Sequence, residues 1–306
     1  MRASRLQVLR EIEALDPVQD HQRIIHLSFG YDFSWDSIRA LEMGLYRTYG
    51  VPSISALLDR TGEFQREPQR RYDDTALIMA EICKWGYEHP RGRAAITRMN
   101  WIHGHYRIAN NDFLYVLSTF IYEPVRWIDA FGWRKTCLNE RLGYYYFWKA
   151  VGTRMGIVDI PTSYEQFGAW SRDYERTHFR FSAANRRVAI STRDLFASWA
   201  PQVCARAVHL AIYAMLDEEV RKAFGFPDPG AWARILMRGA LKLRARVIRY
   251  LPPRRHPWFF TDHRNRTHPH GYHIDDLGPP RLTSAAKASA SDRSRLPDAE
   301  GASPPT

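Results

Sequence analysis

The stretch RMNWIHGHYRI, residues 98–108, places two histidines one residue apart. On a helix of 3.6 residues per turn, Ile96, Met99, His103 and Tyr106 fall on one stripe, while His105 turns toward Arg98 and Trp101, so His103 is the inward one. An inward imidazole is either a ligand or a core residue satisfied by a hydrogen bond, and helical phase leaves both open. Gly104 beside it costs helix stability, a cost that the close approach of a neighbouring backbone or a flat ligand would explain. Upstream, Arg71 and Thr75 of RRYDDT stand four residues apart and share a helix face. In a pocket, the guanidinium would pair with an acidic group and the hydroxyl would donate to a bound oxygen; otherwise Arg71 is a surface cation and Thr75 part of a first-turn cap.

Two further groupings have metal-ligating types. Glu175 and His178 in YERTHF have the Glu-x-x-His spacing of carboxylate-bridged di-iron bundles, but such a centre needs a second pair, and none occurs in the chain. The run RRHPWFFTDHRNRTHPHGYHIDDLG gathers His256, His263, His268, His270 and His273. It follows no standard zinc spacing and is broken by Pro269, so a surface-wrapping segment is expected there. The stretch AWARILMRGALKLRARVIRYL interleaves Arg and Lys with apolar residues. It reads as a packed helix with a charged outer face or, alternatively, as a helix touching anionic lipid at 229–260, with PWFF as an interfacial anchor.

The elements that must position these residues are helical. Apolar periods of three to four residues dominate and alternating strands are absent, so the expected fold is all-α, one domain over 36–282 preceded by a helical extension, 1–35. Helices are expected from Ser34 or Asp36 to Gly50, after Pro52 to Gly62, from about Asp73 or Asp74 to Gly86, and through the histidine stretch. DFLYVLSTFIYEP is apolar nearly all round, the mark of a central helix that Pro124 bends or ends. Asn139 opens the next helix, Ser163 and Gln166 form a capping box, and two late helices cover about 201–223 and 229–250. The Ala-, Ser- and Pro-rich tail, 283–306, is expected to be disordered.

The chain has 306 residues, is 45% hydrophobic and carries a formal net charge of +11. That suffices for a large core, and the scattered basic residues match no nucleic-acid motif, so no nucleic-acid partner is expected. Cys83, Cys137 and Cys204 lie too far apart to suggest a disulfide framework or a zinc cluster. No run reaches the roughly 18–20 apolar residues that span a bilayer. The expected location is cytoplasmic, at most peripheral to a membrane.

The ordered set YRTYGVPSISALLDRTGEF, RRYDDTALI, RMNWIHGHYRIANNDFLYVLSTFIYEPVRWIDAFGWR, ERLGYYYFWKAVGTRMGIVDIPTSYEQF and HGYHIDDLGP resembles the MpaB-type oxygenases, whose superfamily includes the rubber oxygenase called latex clearing protein. The resemblance covers about residues 40–280. It implies a helical fold carrying haem b, O₂ as co-substrate, and cleavage of a C=C bond in an isoprenoid-like or other hydrophobic unsaturated substrate. Carried onto this chain, it makes His103 the proximal iron ligand. Arg71 and Thr75 match the ends of the distal Arg-x-x-Lys-Thr motif, with Asp74 in place of the lysine. Residues around Phe113–Tyr122 would line the substrate channel, and the base stays open among Glu63, Asp73, Asp74 and Glu175. The competing classes are a non-catalytic carrier of haem or another hydrophobic ligand, and a di-iron oxidase.

Overall fold

A computed structural model describes residues 5–284. Among them there is no β-strand, so the fold is all-α as expected. The α-helices are α1 (Gln7–Ala14), α2 (His21–Leu27), α3 (Ser34–Thr48), α4 (Pro52–Thr61), α5 (Glu63–Arg66), α6 (Pro68–Trp85) and α7 (Pro90–His103). They continue with α8 (Asn110–Phe131), α9 (Leu138–Arg154), α10 (Tyr164–His178), α11 (Ala183–Ser198), α12 (Ala205–Met215), α13 (Glu218–Phe224) and α14 (Ala231–Tyr250).

Helix α8 is the axis of the bundle, flanked by α3, α9, α10 and α14. Its apolar circumference demands burial on every side, and Leu114, Tyr115, Leu117, Phe120, Ile121 and Ile128 are all buried. The helix runs on through Pro124 instead of ending there. Its small polar residues cost little: the Ser118 hydroxyl donates to Tyr115 O at 2.6 Å and Thr119 to Val116 O at 2.7 Å. Close approach by α9 depends on two glycines. A Cβ at Gly143 would stand 2.7 Å from Ile24 Cγ2, and one at Gly152 would stand 2.5 Å from Leu117 Cδ2.

Several boundaries differ from those expected. Helix α3 is entered directly from a π-turn over Ser28–Asp32, so its N-cap is Phe33 and neither Ser34 nor Asp36 caps it. Helix α6 starts at Pro68, whose missing N–H is harmless in a first turn, which puts Asp73, Asp74 and Thr75 in the helix interior. The expected 201–223 helix is two, because Asp217 accepts from Val220 N at 3.0 Å and caps α13 afresh. Cys137 rather than Asn139 is the N-cap of α9, with Glu140 accepting from its N–H at 2.9 Å. The Ser163 hydroxyl does accept from Gln166 N, at 3.2 Å.

After α14 the chain forms a strap over α6 and α7. Trp258 N donates to Gly30 O at 2.8 Å, and Phe259 is only 3% exposed. The PWFF segment therefore packs inward through Phe259, with Pro257, Trp258 and Phe260 half-buried. Further along, Arg98 Nε donates to Leu277 O at 2.7 Å, and Tyr272 donates to Glu81. Thr283, expected in the disordered tail, is buried; the rest of that tail from 285 lies outside the described residues.

Candidate active site

Helices α3, α4, α6, α7 and α8 enclose a cavity of about 350 Å³, closed on one side by the strap through Trp258, Phe259 and Phe260. Its walls are mostly aliphatic and aromatic. From α8 come Phe113, Val116, Leu117 and Phe120, four of the residues expected to line a channel. His103, Arg71 and Thr75 all reach the same cavity.

His103 is the last residue of α7. The helix stops there because Gly104, Tyr106 and His105 turn back onto the final carbonyls; Tyr106 N donates to His103 O at 3.0 Å and His105 N to Ile102 O at 3.2 Å. The helix expected through residue 108 is thus five residues shorter. Even so, His103 faces in and His105 faces out, as helical phase indicates. The exposed His105 bonds Trp101 O through Nδ1 at 2.8 Å, whereas Nδ1 of His103 is buried with no hydrogen-bond partner. Phe113 meets the His103 ring edge-on, with centroids 5.3 Å apart. Burial, with the Arg71 charge adding to it, pushes the imidazole pKa down to about 4, so the ring is neutral at physiological pH. Gly104 is exposed, and a Cβ there would approach only the carbonyls of Asn100 and Trp101; no neighbouring element comes near. It is the C-cap of α7, in right-handed helical backbone.

Arg71 and Thr75 lie on one face of α6. The Arg71 guanidinium donates to the Thr75 hydroxyl, which itself donates to Arg71 O at 2.9 Å. Arg71 also lies over the Phe64 ring at 5.4 Å and forms no ion pair among the described residues. Thr75 sits two turns into the helix, which removes the first-turn cap as its role. The cavity therefore contains a half-buried cation without a counter-ion and a neutral imidazole without a hydrogen-bond partner.

The carboxylates considered as a base are mostly engaged elsewhere. Asp74 accepts from His268 Nε2 at 2.7 Å and from Gly278 N at 2.9 Å, and Asp73 accepts from Thr267 N at 3.0 Å. Both aspartates fasten the strap to α6. Glu175 is held by Arg47 at 2.6 Å and by Tyr115 at 3.0 Å. Its expected metal-pair partner, His178, stacks on Tyr174 at 3.9 Å and bonds Tyr174 O at 2.9 Å. Among the described residues no group of three or more His, Cys, Asp or Glu side chains is placed to hold a metal ion, which leaves the di-iron pattern and the strap histidines without a site. Asp74 nevertheless lines the cavity, as does Glu63, which has Arg66 at 3.6 Å.

Four cavity residues escaped the sequence. Glu42 accepts from Arg39 at 2.6 Å and from the Tyr72 hydroxyl. Burial raises the pKa of both Glu42 and Tyr72. Cys83 is buried, and burial pushes its thiol pKa up, so without a ligand it stays a neutral thiol. Trp148 stacks on Phe120 at 4.7 Å, and its indole N–H is buried without an acceptor. The available signal was Glu42, an acid in phase with Ile38, Leu41 and Leu45 on α3.

Residues 37–249, more than two thirds of the chain, match the family described as ER-bound oxygenase mpaB/B'/rubber oxygenase, catalytic domain. The ER-bound oxygenase mpaB' of Penicillium brevicompactum is 26% identical, covering 81% of this chain and 74% of its own length. The ER-bound oxygenase mpaB of Penicillium roqueforti (strain FM164) is 30% identical over 63% of this chain and 70% of its own. For mpaB of Penicillium brevicompactum the identity is 28%, over 73% of this chain and 55% of its own. Among the described residues no helix is long and apolar enough to cross a membrane. An apolar cavity holding a neutral histidine and an unpaired arginine, on a helical frame that matches this family over most of its length, leads to one conclusion: the chain belongs to the mpaB/rubber oxygenase catalytic-domain family and is an oxidoreductase of the oxygenase type.

Proposed function

We propose that this oxygenase depends on haem b, held by His103, and cleaves a C=C bond of an isoprenoid-like or other hydrophobic unsaturated substrate. The observation that carries the proposal is the buried Nδ1 of His103, which has no protein partner at the wall of an apolar cavity. Leaving such a polar atom unsatisfied costs about 1–3 kcal/mol, so it is tolerated more readily where a ligand is to engage the ring. The neutral imidazole is already in the protonation state that ligation requires. Haem, when bound, supplies the iron centre at which O₂ becomes reactive toward an alkene.

The chain's own residues would do the rest. Arg71, without a carboxylate partner, neutralises an acidic group brought into the cavity, such as a propionate. Thr75 offers a hydroxyl that can be turned from Arg71 O toward an oxygen atom. Phe113, Val116, Leu117 and Phe120 hold an apolar chain and exclude water. The net reaction adds the two atoms of O₂ to the two alkene carbons and yields two carbonyl groups, with no external reductant required.

Purified protein should show a Soret band that His103→Ala abolishes and His105→Ala retains. Full haem loading in His103→Ala would falsify the ligand assignment. Oxygen uptake with a polyprenyl substrate separates this enzyme from a carrier, which would consume none.

A further inference from the structure

We infer that α14 is a docking surface for an anionic lipid bilayer. One side of this helix is packed: Ala233, Leu241 and Ala245 are buried, and Arg244 reaches inward to Asp36, with Nη1–Oδ1 at 2.9 Å. The opposite side is not. Trp232, Leu236, Leu243, Val247 and Tyr250 are 60%, 65%, 60%, 53% and 83% exposed. Their spacing of four, seven, four and three residues places them on one stripe along the whole 20-residue helix. Ile235 and Leu251 widen the stripe, and its two ends are the aromatic residues Trp232 and Tyr250, the types favoured at the water–lipid boundary.

A row of cations runs alongside. Arg238, Lys242, Arg246 and Arg249, at spacings of four, four and three, are all exposed, and none forms an ion pair among the described residues. Between Ala231 and Tyr250 there is no Asp or Glu. The covering partner must therefore be apolar and negatively charged along parallel lines. A second copy of α14 would bring the same cations face to face. Residues 285–306 contain one large aliphatic residue, Leu296, too few to cover the stripe. An anionic bilayer meets both demands: the stripe enters the acyl boundary, while the long basic side chains extend to the headgroup phosphates.

The test is co-sedimentation of the full chain with phosphatidylcholine vesicles, with and without phosphatidylserine. Wild type should bind the phosphatidylserine vesicles and favour them by about tenfold or more over neutral ones. The double variants Leu236→Glu/Leu243→Glu and Lys242→Glu/Arg246→Glu alter only exposed positions, and each should lose about tenfold or more in binding with an unchanged circular dichroism spectrum. Equal binding to neutral vesicles, or variants that bind like wild type, would overturn the proposal. So would failure to bind vesicles, including the case where sedimentation finds a dimer that Leu236→Glu/Leu243→Glu dissolves. Haem loading, read from the Soret band, is a separate measurement, so failure here leaves the His103 assignment standing.

Discussion

His103 and the Glu175–His178 pair look alike in the sequence, each a histidine on a helix with chemistry to offer, yet the fold treats them in opposite ways. Glu175 is gripped by Arg47 and Tyr115, and His178 is stacked on Tyr174 and bonded to its carbonyl. His103 is left with a buried nitrogen that the protein does not satisfy. The lesson is that ligand chemistry follows from unspent valence more than from residue type. A group already satisfied by its neighbours stabilises the fold and has little left for a ligand.

This contrast can be broken by substitution. The largest effect is expected from Glu175→Ala, which leaves Arg47 short of its bidentate partner and the Tyr115 hydroxyl unpaired in a largely buried site. Urea unfolding should show a loss of about 3 kcal/mol, with the Soret band unchanged in the folded fraction. A loss of haem with little loss of stability would reverse the roles drawn here.

Acid titration of the haem-free protein probes the other member. His103 has a folded pKa near 4 against the ordinary 6.5, so between these values the unfolded chain binds the proton and the folded one does not. Stability is therefore intact above about pH 6.5 and falls as the pH drops toward 4, by up to about 3 kcal/mol from this residue. His103→Leu should lose less over the same interval; identical curves would show that the imidazole is solvated.

Asp74→Ala removes an acceptor from His268 and Gly278 and should cost about 2 kcal/mol while opening residues 260–280 to limited proteolysis. Protection equal to wild type would mean that Asp74 does not hold the strap. The smallest change is His178→Ala, about 1 kcal/mol or less from a lost stack, with haem retained. Haem loss in this variant would make it a member of the site after all.

Local periodicity made the helical class legible, along with the central position of α8 and the inward face of His103, because a 3.6-residue repeat of apolar side chains records which side of a helix is buried. The same repeat misjudged helix ends. Asp73 and Asp74 look like first-turn residues, yet Pro68 starts α6, and the hydrogen bonds of the two aspartates run to Thr267 and His268, each 194 residues further on. No short window contains such a partner. In α14 the alternation of Arg with Leu and Val suggested a charged outer face, but the packed face is narrow, with Ala233, Leu241 and Ala245 buried and Met237 and Ile248 partly buried beside them, so much of the bulky apolar surface faces out.

By itself the sequence determined the all-helical class, the absence of a second Glu-x-x-His pair and which of two neighbouring histidines turns inward, all properties of composition and local phase. Only the tertiary structure decided which polar groups were spent. It put Arg71, Thr75 and His103 on one cavity and used Asp74 as a fastening for the strap. It left Nδ1 of His103 without a partner, because whether a donor meets an acceptor depends on contacts between helices that periodicity does not encode.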